Sequence, residues 1–349
     1  QLRILTFLGT IAGKAHDMVP PPARALAAAA RDDDGSAPAL GLAANTSTSA
    51  IMRWDVSDRI KFELPFRDVL VSVYLDDLLP RLAVLAEHSS QRQAKIAAAE
   101  ALHSIVLYMI GSARASSAHS PSPYAQLYRH VFPVLLRLAA DVDTFTCRLF
   151  HPFVIQLIHW FTSSAPDAED TLALLDAVVD AVSAPSAALR ELSAHFLAEF
   201  FAWAIKQSSA AHAVANKLQV SALLSQVFAL ALHPAPFRRL GAANTYLAIY
   251  RTFREEPNLV SKYVLAMLSN ILATLRLSAS DPPGLGTEAK AKRVLKALVR
   301  IIRKYESALR APDPNRLASG YPDLDAALDA IFEACASLPM PARHAAVET

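Results

Sequence analysis

Pro234-Ala235-Pro236-Phe237-Arg238-Arg239-Leu240-Gly241-Ala242-Ala243 decides the fold. A proline-containing turn opens a helix here, because proline is tolerated in a first turn, where its missing N–H has no intrahelical partner to lose. Arginine and then small residues follow. The same order returns at Pro185-Ser186-Ala187-Ala188-Leu189-Arg190. A polar version stands at Ser90-Gln91-Arg92-Gln93, ahead of Ile96-Ala97-Ala98-Ala99. Second helices that restart in this way indicate antiparallel helix pairs stacked in a row, each too small to bury its apolar face alone.

Working outward, apolar residues recur at steps of three and four. Ala99, Leu102, Val106 and Met109 do so, as do Leu149, Phe153, Leu157 and Trp160, and Leu189, Leu192, Phe196, Phe200 and Trp203. Each set lines one helical face. The spacing predicts helices over 69–88, 90–111, 124–140, 143–163, 168–183, 186–207, 217–232, 235–254, 257–277, 287–309 and 322–337. Short connections force antiparallel neighbours. Successive pairs begin roughly 40–55 residues apart, near or slightly above the period of HEAT and armadillo arrays. The expected fold is therefore all-α, a HEAT/armadillo-like helical-repeat solenoid.

Composition agrees. Only 9 glycines occur in 349 residues, and alanine and leucine are abundant, which favours helix. A hydrophobic share of 53% allows a large core, and a net charge of +2 gives no global attraction to nucleic acid, so any such contact needs a local patch. Cys147 and Cys335 are too few and too distant for a disulfide framework, so a reducing compartment is expected. Asn45-Thr46-Ser47 matches a glycosylation sequon, without meaning in an intracellular protein. No window is read as apolar enough to span a bilayer; 264–277 is interrupted by Ser269, Asn270, Thr274 and Arg276.

The organisation divides into four parts. Residues 1–13 read as the end of a preceding helical repeat, closed by Gly9 and Gly13. Residues 14–50, with Pro20-Pro21-Pro22, an alanine run and Arg31-Asp32-Asp33-Asp34-Gly35, lack an apolar period and read as a disordered, low-complexity insertion. Residues 51–68 read as an extended connecting segment, with Ile60, Phe62 and Leu64 on one side. Residues 69–349 read as helical repeats that continue beyond the chain end. With no initiating methionine and a helical pattern from Leu2, a piece of a longer protein is expected.

Catalytic patterns are absent. There is no G-x-G-x-x-G after a strand, no phosphate-binding G-x-x-x-x-G-K-[ST], no G-x-S-x-G and no kinase signature. Gly284-Leu285-Gly286 reads as a turn. Cys147, His151 and His159 share one helix, but no fourth ligand accompanies them; a buried thiol beside interface imidazoles is the simpler reading. Asp76, Asp77, Asp141 and Asp143 read as capping residues favoured at helix N-termini. Glu255-Glu256 follows a helix, where the dipole does not favour it. No catalytic, cofactor-binding or metal residue is assigned.

One charged feature stands out. The helix over 287–309 carries Lys290, Lys292, Arg293, Lys296, Arg300, Arg303 and Lys304. Lys292, Lys296, Arg300 and Arg303 or Lys304 recur at three to four residues and form a basic stripe opposite Val294, Leu295, Leu298, Ile301 and Ile302. Such a stripe can track phosphates by releasing counterions, or can be a solvated outer face. Lys290, Lys292, Lys296, Arg300, Arg303 and Lys304 are thus the candidate residues for DNA or a protein partner. A second cluster, Arg238, Arg239, Arg251 and Arg254, reads as weaker, since arginine at the opening of a second helix bonds to a neighbouring repeat.

Longer stretches carry a specific resemblance. Tyr74 to Gly111 reads YLDDLLPRLAVLAEHSSQRQAKIAAAEALHSIVLYMIG, Tyr124 to Ser163 reads YAQLYRHVFPVLLRLAADVDTFTCRLFHPFVIQLIHWFTS, and Ala231 to Glu256 reads ALHPAPFRRLGAANTYLAIYRTFREE. With Trp54-Asp55 and the LPFRD of Leu64 to Asp68, these resemble the catalytic subunits of DNA-dependent protein kinase, in the phosphatidylinositol-3-kinase-related group. The similar part is the large helical region around the N-terminal arm and circular cradle. The resemblance implies a nuclear serine/threonine kinase that assembles with the Ku heterodimer on double-stranded DNA ends and acts in double-strand break repair by non-homologous end joining. It implies that ATP and magnesium belong to a distant kinase domain, so no cofactor is expected in this segment. No membrane partner is expected. The alternative class is a generic HEAT-repeat adaptor that binds peptides or proteins, of the transport-receptor or phosphatase-scaffold type. A free-standing enzyme is disfavoured, because no nucleophile, base or metal set converges.

Overall fold

The computed structural model describes residues 54–56, 59–66, 69–115, 122–208, 218–282, 284–311, 313 and 321–336. The readings of 1–13 as a helix end, of 14–50 as an insertion and of Asn45-Thr46-Ser47 fall outside the described residues.

The described chain begins with an antiparallel hairpin. Strand β1, Lys61–Phe66, pairs with β2, Val69–Tyr74, with Lys61 opposite Tyr74 and Phe66 opposite Val69. This corrects the expected helix at 69. Val69, Val71 and Val73 are β-branched at alternate positions, which suits a strand, and so short an apolar run fits either period until pairing decides it. Extended structure therefore reaches Tyr74, and helix α1 spans Leu75–His88.

Pro80 lies inside α1. It has no N–H to offer the carbonyl of Asp76, four residues back. That carbonyl accepts the Trp54 N–H instead, at 3.3 Å. The Asp76 side chain is fully buried and accepts from Arg59 Nε at 3.3 Å, while Arg59 Nη2 bonds Asp77 and the guanidinium lies 4.0 Å from the centre of the Tyr74 ring. Trp54 stacks on His130 at 5.3 Å.

Most of the remaining helices follow the predicted ones closely: α2 Arg92–Ala115, α3 Ala125–Ala139, α4 Thr144–Ser164, α5 Glu169–Val182, α6 Ala187–Ser208, α7 Val220–Ala231, α8 Pro236–Phe253 and α9 Pro257–Ser278. The helix expected over 287–309 instead divides at Tyr305, whose backbone leaves the helical region, into α10 Thr287–Lys304 and α11 Glu306–Arg310. The last, α12 Leu324–Ala336, again follows its prediction. The chain forms two compact units, residues 1–150 and 151–349. In the first, α1 packs on α2 and α3. In the second, α5–α6, α7–α8 and α9–α10 are pairs; the second helices α6, α8 and α10 pack in order, as do the first helices α7 and α9, with α12 against α9. The fold is an all-α helical-repeat solenoid, as the sequence predicts.

Helix α8 shows why the opening stretch carries small residues. It touches α5, α6, α7, α9 and α10. Every residue from Arg239 to Tyr246 is buried, so no apolar stripe is visible in its sequence. Gly241 lies against the end of α5: a Cβ there would stand 2.2 Å from Val182 O and 2.7 Å from Val182 Cγ1. Buried Tyr246 donates to Asn270 Oδ1 at 3.2 Å, and burial pushes its phenol well above the usual range.

Two helical stretches, 92–113 and 257–278, are long and apolar enough to cross a membrane by length and composition, contrary to the expectation from sequence. In the fold α2 packs on α1, and α9 packs against α7, α8, α10 and α12. Apolar faces directed at neighbouring helices account for their hydropathy.

Candidate functional site

Within each unit, the fourth residue of several helices bonds to a neighbouring helix or turn. These residues are Lys95 of α2, Cys147 of α4, Arg190 of α6, Arg239 of α8 and Lys290 of α10. Lys95 Nζ reaches Asp141 of the next turn at 2.7 Å. The Cys147 thiol donates to Ala139 O at 3.2 Å. Arg190 Nη1 donates to Ala184 O and Pro185 O, at 2.5 and 3.1 Å. Arg239 Nη1 does the same to His233 O and Pro234 O, at 2.6 and 2.7 Å. Both arginines thus bridge the carbonyls five and six residues before them. Arg239 Nη2 also bonds Asp281, on the next turn. The sequence expectation for arginines opening second helices holds at Arg239.

Lys290 belongs to this series. Its Nζ is 2.8 Å from Glu191 Oε1, which holds the Glu191 carboxyl below its ordinary range. Lys292 is engaged by Glu288 one turn earlier, at 2.7 Å. The structure therefore divides the predicted stripe. Arg293, Lys296, Arg300 and Arg303 are exposed, at steps of three, four and three, and no carboxylate lies within ion-pair distance of them among the described residues. They span about 15 Å along the axis at 1.5 Å per residue. Ala291, Val294, Leu295, Leu298 and Ile301 hold the opposite face in the core. Lys304 is exposed and sits 5.0 Å from the Tyr305 ring centre, where the helix ends. Arg293 lay in the predicted helix but outside the candidate set; only the contacts of Lys290 and Lys292 reveal that it belongs to the unengaged face.

The sequence begins α10 well. Gly286 precedes it with φ of 83°, a left-handed conformation that glycine adopts without a Cβ clash. Glu288 occupies the first turn and Arg303 and Lys304 the last, matching the helix dipole.

Cys147, His151 and His159 engage separate partners. His151 meets Phe196 edge-on at 5.6 Å, and His159 Nε2 lies 3.1 Å from Glu199 Oε2. Among the described residues no group of three or more His, Cys, Asp or Glu is placed to hold a metal. Asp143 caps α4: its carboxylate accepts the Thr146 N–H at 3.0 Å and the Thr146 hydroxyl at 3.1 Å. The backbone bond from Thr146 is the main cause of its lowered pKa, with Arg92 contributing.

The family described as "DNA-dependent protein kinase catalytic subunit, CC1/2" matches residues 122–347. The chain belongs to the DNA-dependent protein kinase catalytic subunit family. It is 40% identical to the chicken (Gallus gallus) DNA-dependent protein kinase catalytic subunit over 285 residues, which is 79% of this chain and 7% of that protein. Identity to the mouse (Mus musculus) subunit is 40% over 274 residues, 78% of the chain and 7% of the relative. The subunit of the amoeba Dictyostelium discoideum is 40% identical over 227 residues, 64% of the chain and 5% of the relative. Against these DNA-dependent protein kinase catalytic subunits the chain is a small segment, and family membership separates it from the generic-adaptor reading. The CC1/2 match takes in α3 to α12, so both the fourth-residue series from Cys147 onward and the basic face of α10 lie within it.

Proposed function

We propose that this chain is a scaffold segment of a nuclear DNA-dependent protein kinase catalytic subunit acting in double-strand break repair by non-homologous end joining. Its stacked pairs support assembly of the parent protein with Ku and double-stranded DNA ends, while serine/threonine kinase activity, with its ATP and magnesium, resides elsewhere in the parent. The observation that carries this reading is the family match over residues 122–347. The unengaged cations of α10 support a contact with phosphates, since a row of exposed cations can displace condensed counterions.

The test is retention of a short blunt-ended duplex by the 349-residue chain, with Ku, without Ku, and with Ku alone, across a salt series. In parallel, the parent protein carrying Arg293, Lys296, Arg300 and Arg303 changed to Glu is assayed for DNA-stimulated phosphorylation of a peptide. Retention of Ku-bound duplex and weakened stimulation are expected. No more retention with the chain, with or without Ku, than in the Ku-alone control, together with full stimulation of the variant, would remove the DNA-end and Ku role.

A further inference from the structure

Arg190 and Arg239 make the same bonds with Nη1 and differ at Nη2. In both, Nη1 holds the two carbonyls of the preceding turn, and in both Nε is sealed from solvent without an acceptor. Arg239 Nη2 has Asp281. Arg190 Nη2 has no acceptor among the described residues, and it is not one of the sealed atoms. The residue as a whole is only 5% exposed, stacked 5.4 Å from the Phe237 ring centre. The nearest carboxylate in sequence, Glu191, is taken by Lys290.

The missing acceptor has a place in the chain. Asp141, which answers Lys95, stands two residues after α3 ends at Ala139 and three before α4 begins at Thr144. On the turn that follows Arg190, the residue two after Ala231 and three before Pro236 is His233. Its Nδ1 accepts the Ala235 N–H at 2.9 Å, so the imidazole offers Arg190 no negative charge. Exposed Arg238 adds a second cation beside Phe237.

We propose that the Arg190 turn is a binding position for an external oxyanion, a carboxylate or phosphate group. Its oxygen takes at Arg190 Nη2 the role that Asp281 plays for Arg239. Glu191 acts on this guanidinium only through space, and the hydrogen bonds of Arg190 all go to neutral carbonyls. Burial therefore lowers the Arg190 pKa, and a directly bonded oxyanion would offset that cost, because charge-assisted bonds are the strong ones.

The experiment is thermal unfolding of the 349-residue chain in sodium phosphate, sodium acetate and sodium chloride at matched ionic strength and about pH 7. A ligand that binds only the folded state raises Tm with concentration. Phosphate or acetate should raise the Tm above the chloride control. Only the part of the rise that Arg190→Gln loses reports the site, since phosphate also stabilises folded proteins generally by exclusion from their surface. An Arg190-dependent rise in phosphate alone identifies a phosphate group as the ligand, and an equal one in acetate identifies a carboxylate, as on an acidic side chain of another protein. Arg190→Gln should weaken the anion response about tenfold or more, the scale of one charge-assisted bond. His233→Asp should raise the Tm in chloride and abolish the anion response, because the chain then supplies its own carboxylate, while Asp can still accept from Ala235. That second variant removes no bond of Arg190 and decides the matter if Arg190→Gln does not fold. Equal Tm values in all three salts, or a full anion response in His233→Asp, would overturn the proposal.

Discussion

Arg239 and Asp281, 42 residues apart in sequence, form an ion pair whose side chains are 4% and 6% exposed. The pair joins the turn that opens α8 to the turn that follows α9, while Nη1 of the same arginine ties down its own turn. One side chain thus closes a repeat and fixes the register of the next. Removing one member of a buried pair leaves the other charge uncompensated, at a cost of about 3–5 kcal/mol. Asp281→Ala should therefore lower the apparent unfolding free energy in urea by about 3 kcal/mol or more. A double-mutant cycle with Arg239→Met should give a coupling energy above about 1 kcal/mol. Coupling near zero would show that the charges act independently.

Gly241 and Gly111 should respond to alanine with opposite signs. At Gly241 the added methyl meets the backbone oxygen of Val182, which cannot rotate away. Gly241→Ala should destabilise by about 1–3 kcal/mol or more, the range of core overpacking. At Gly111 nothing lies within 4 Å of the new Cβ, so Gly111→Ala should stabilise by up to about 1 kcal/mol through helix propensity. Urea midpoints of the two variants check both signs.

The Asp143 cap gives a pH dependence. Its carboxyl is held below the ordinary value of 3.8, chiefly by the Thr146 N–H. A depressed folded pKa means that the contribution is present above the unfolded pKa and is lost as pH falls through the folded one. Asp143→Ala should thus lower the Tm at about pH 7, and the gap from the unaltered chain should narrow as the pH drops below about 4. A gap that stays constant from about pH 7 to about pH 2 would assign the loss to something other than the ionised cap.

The division of the α10 cations can be measured in DNA binding. Charge reversal of Arg293, Lys296, Arg300 and Arg303 should abolish salt-sensitive binding of a blunt duplex. Single reversal of Lys292, already paired with Glu288, should change little. Removing one cation that neutralises a phosphate should make the slope of log K against log salt shallower by about 0.9. Equal slopes for the unaltered chain and the four-residue variant would leave the face merely solvated.

Most helices were legible because their apolar residues repeat at three and four, a pattern that packing against a neighbour imposes directly. Val69 to Tyr74 was not, since six residues fit two periods and only the partner β1 selects one. The α8 helix was found from its turn rather than its stripe, because contact on all sides erases the stripe. The candidate surface was half legible. Exposed charges have the spacing of their helix, but Lys290 is engaged by Glu191, 99 residues away, and no local pattern announces that. The Arg239 contact with a neighbouring repeat could be foreseen from its place in the helix; the identity of its partner could not.

Pro80 has a consequence for how the chain is joined. Proline inside a helix usually counts as damage, since it removes a hydrogen bond. Here the vacated carbonyl of Asp76 receives Trp54, whose ring in turn lies on His130. A flawless helix would have turned that oxygen toward its own N–H four residues on, and the Trp54 amide would have had to share it. The imperfection is thus a fastening, which adds to the β1–β2 hairpin a second point at which the irregular segment is secured to the helix.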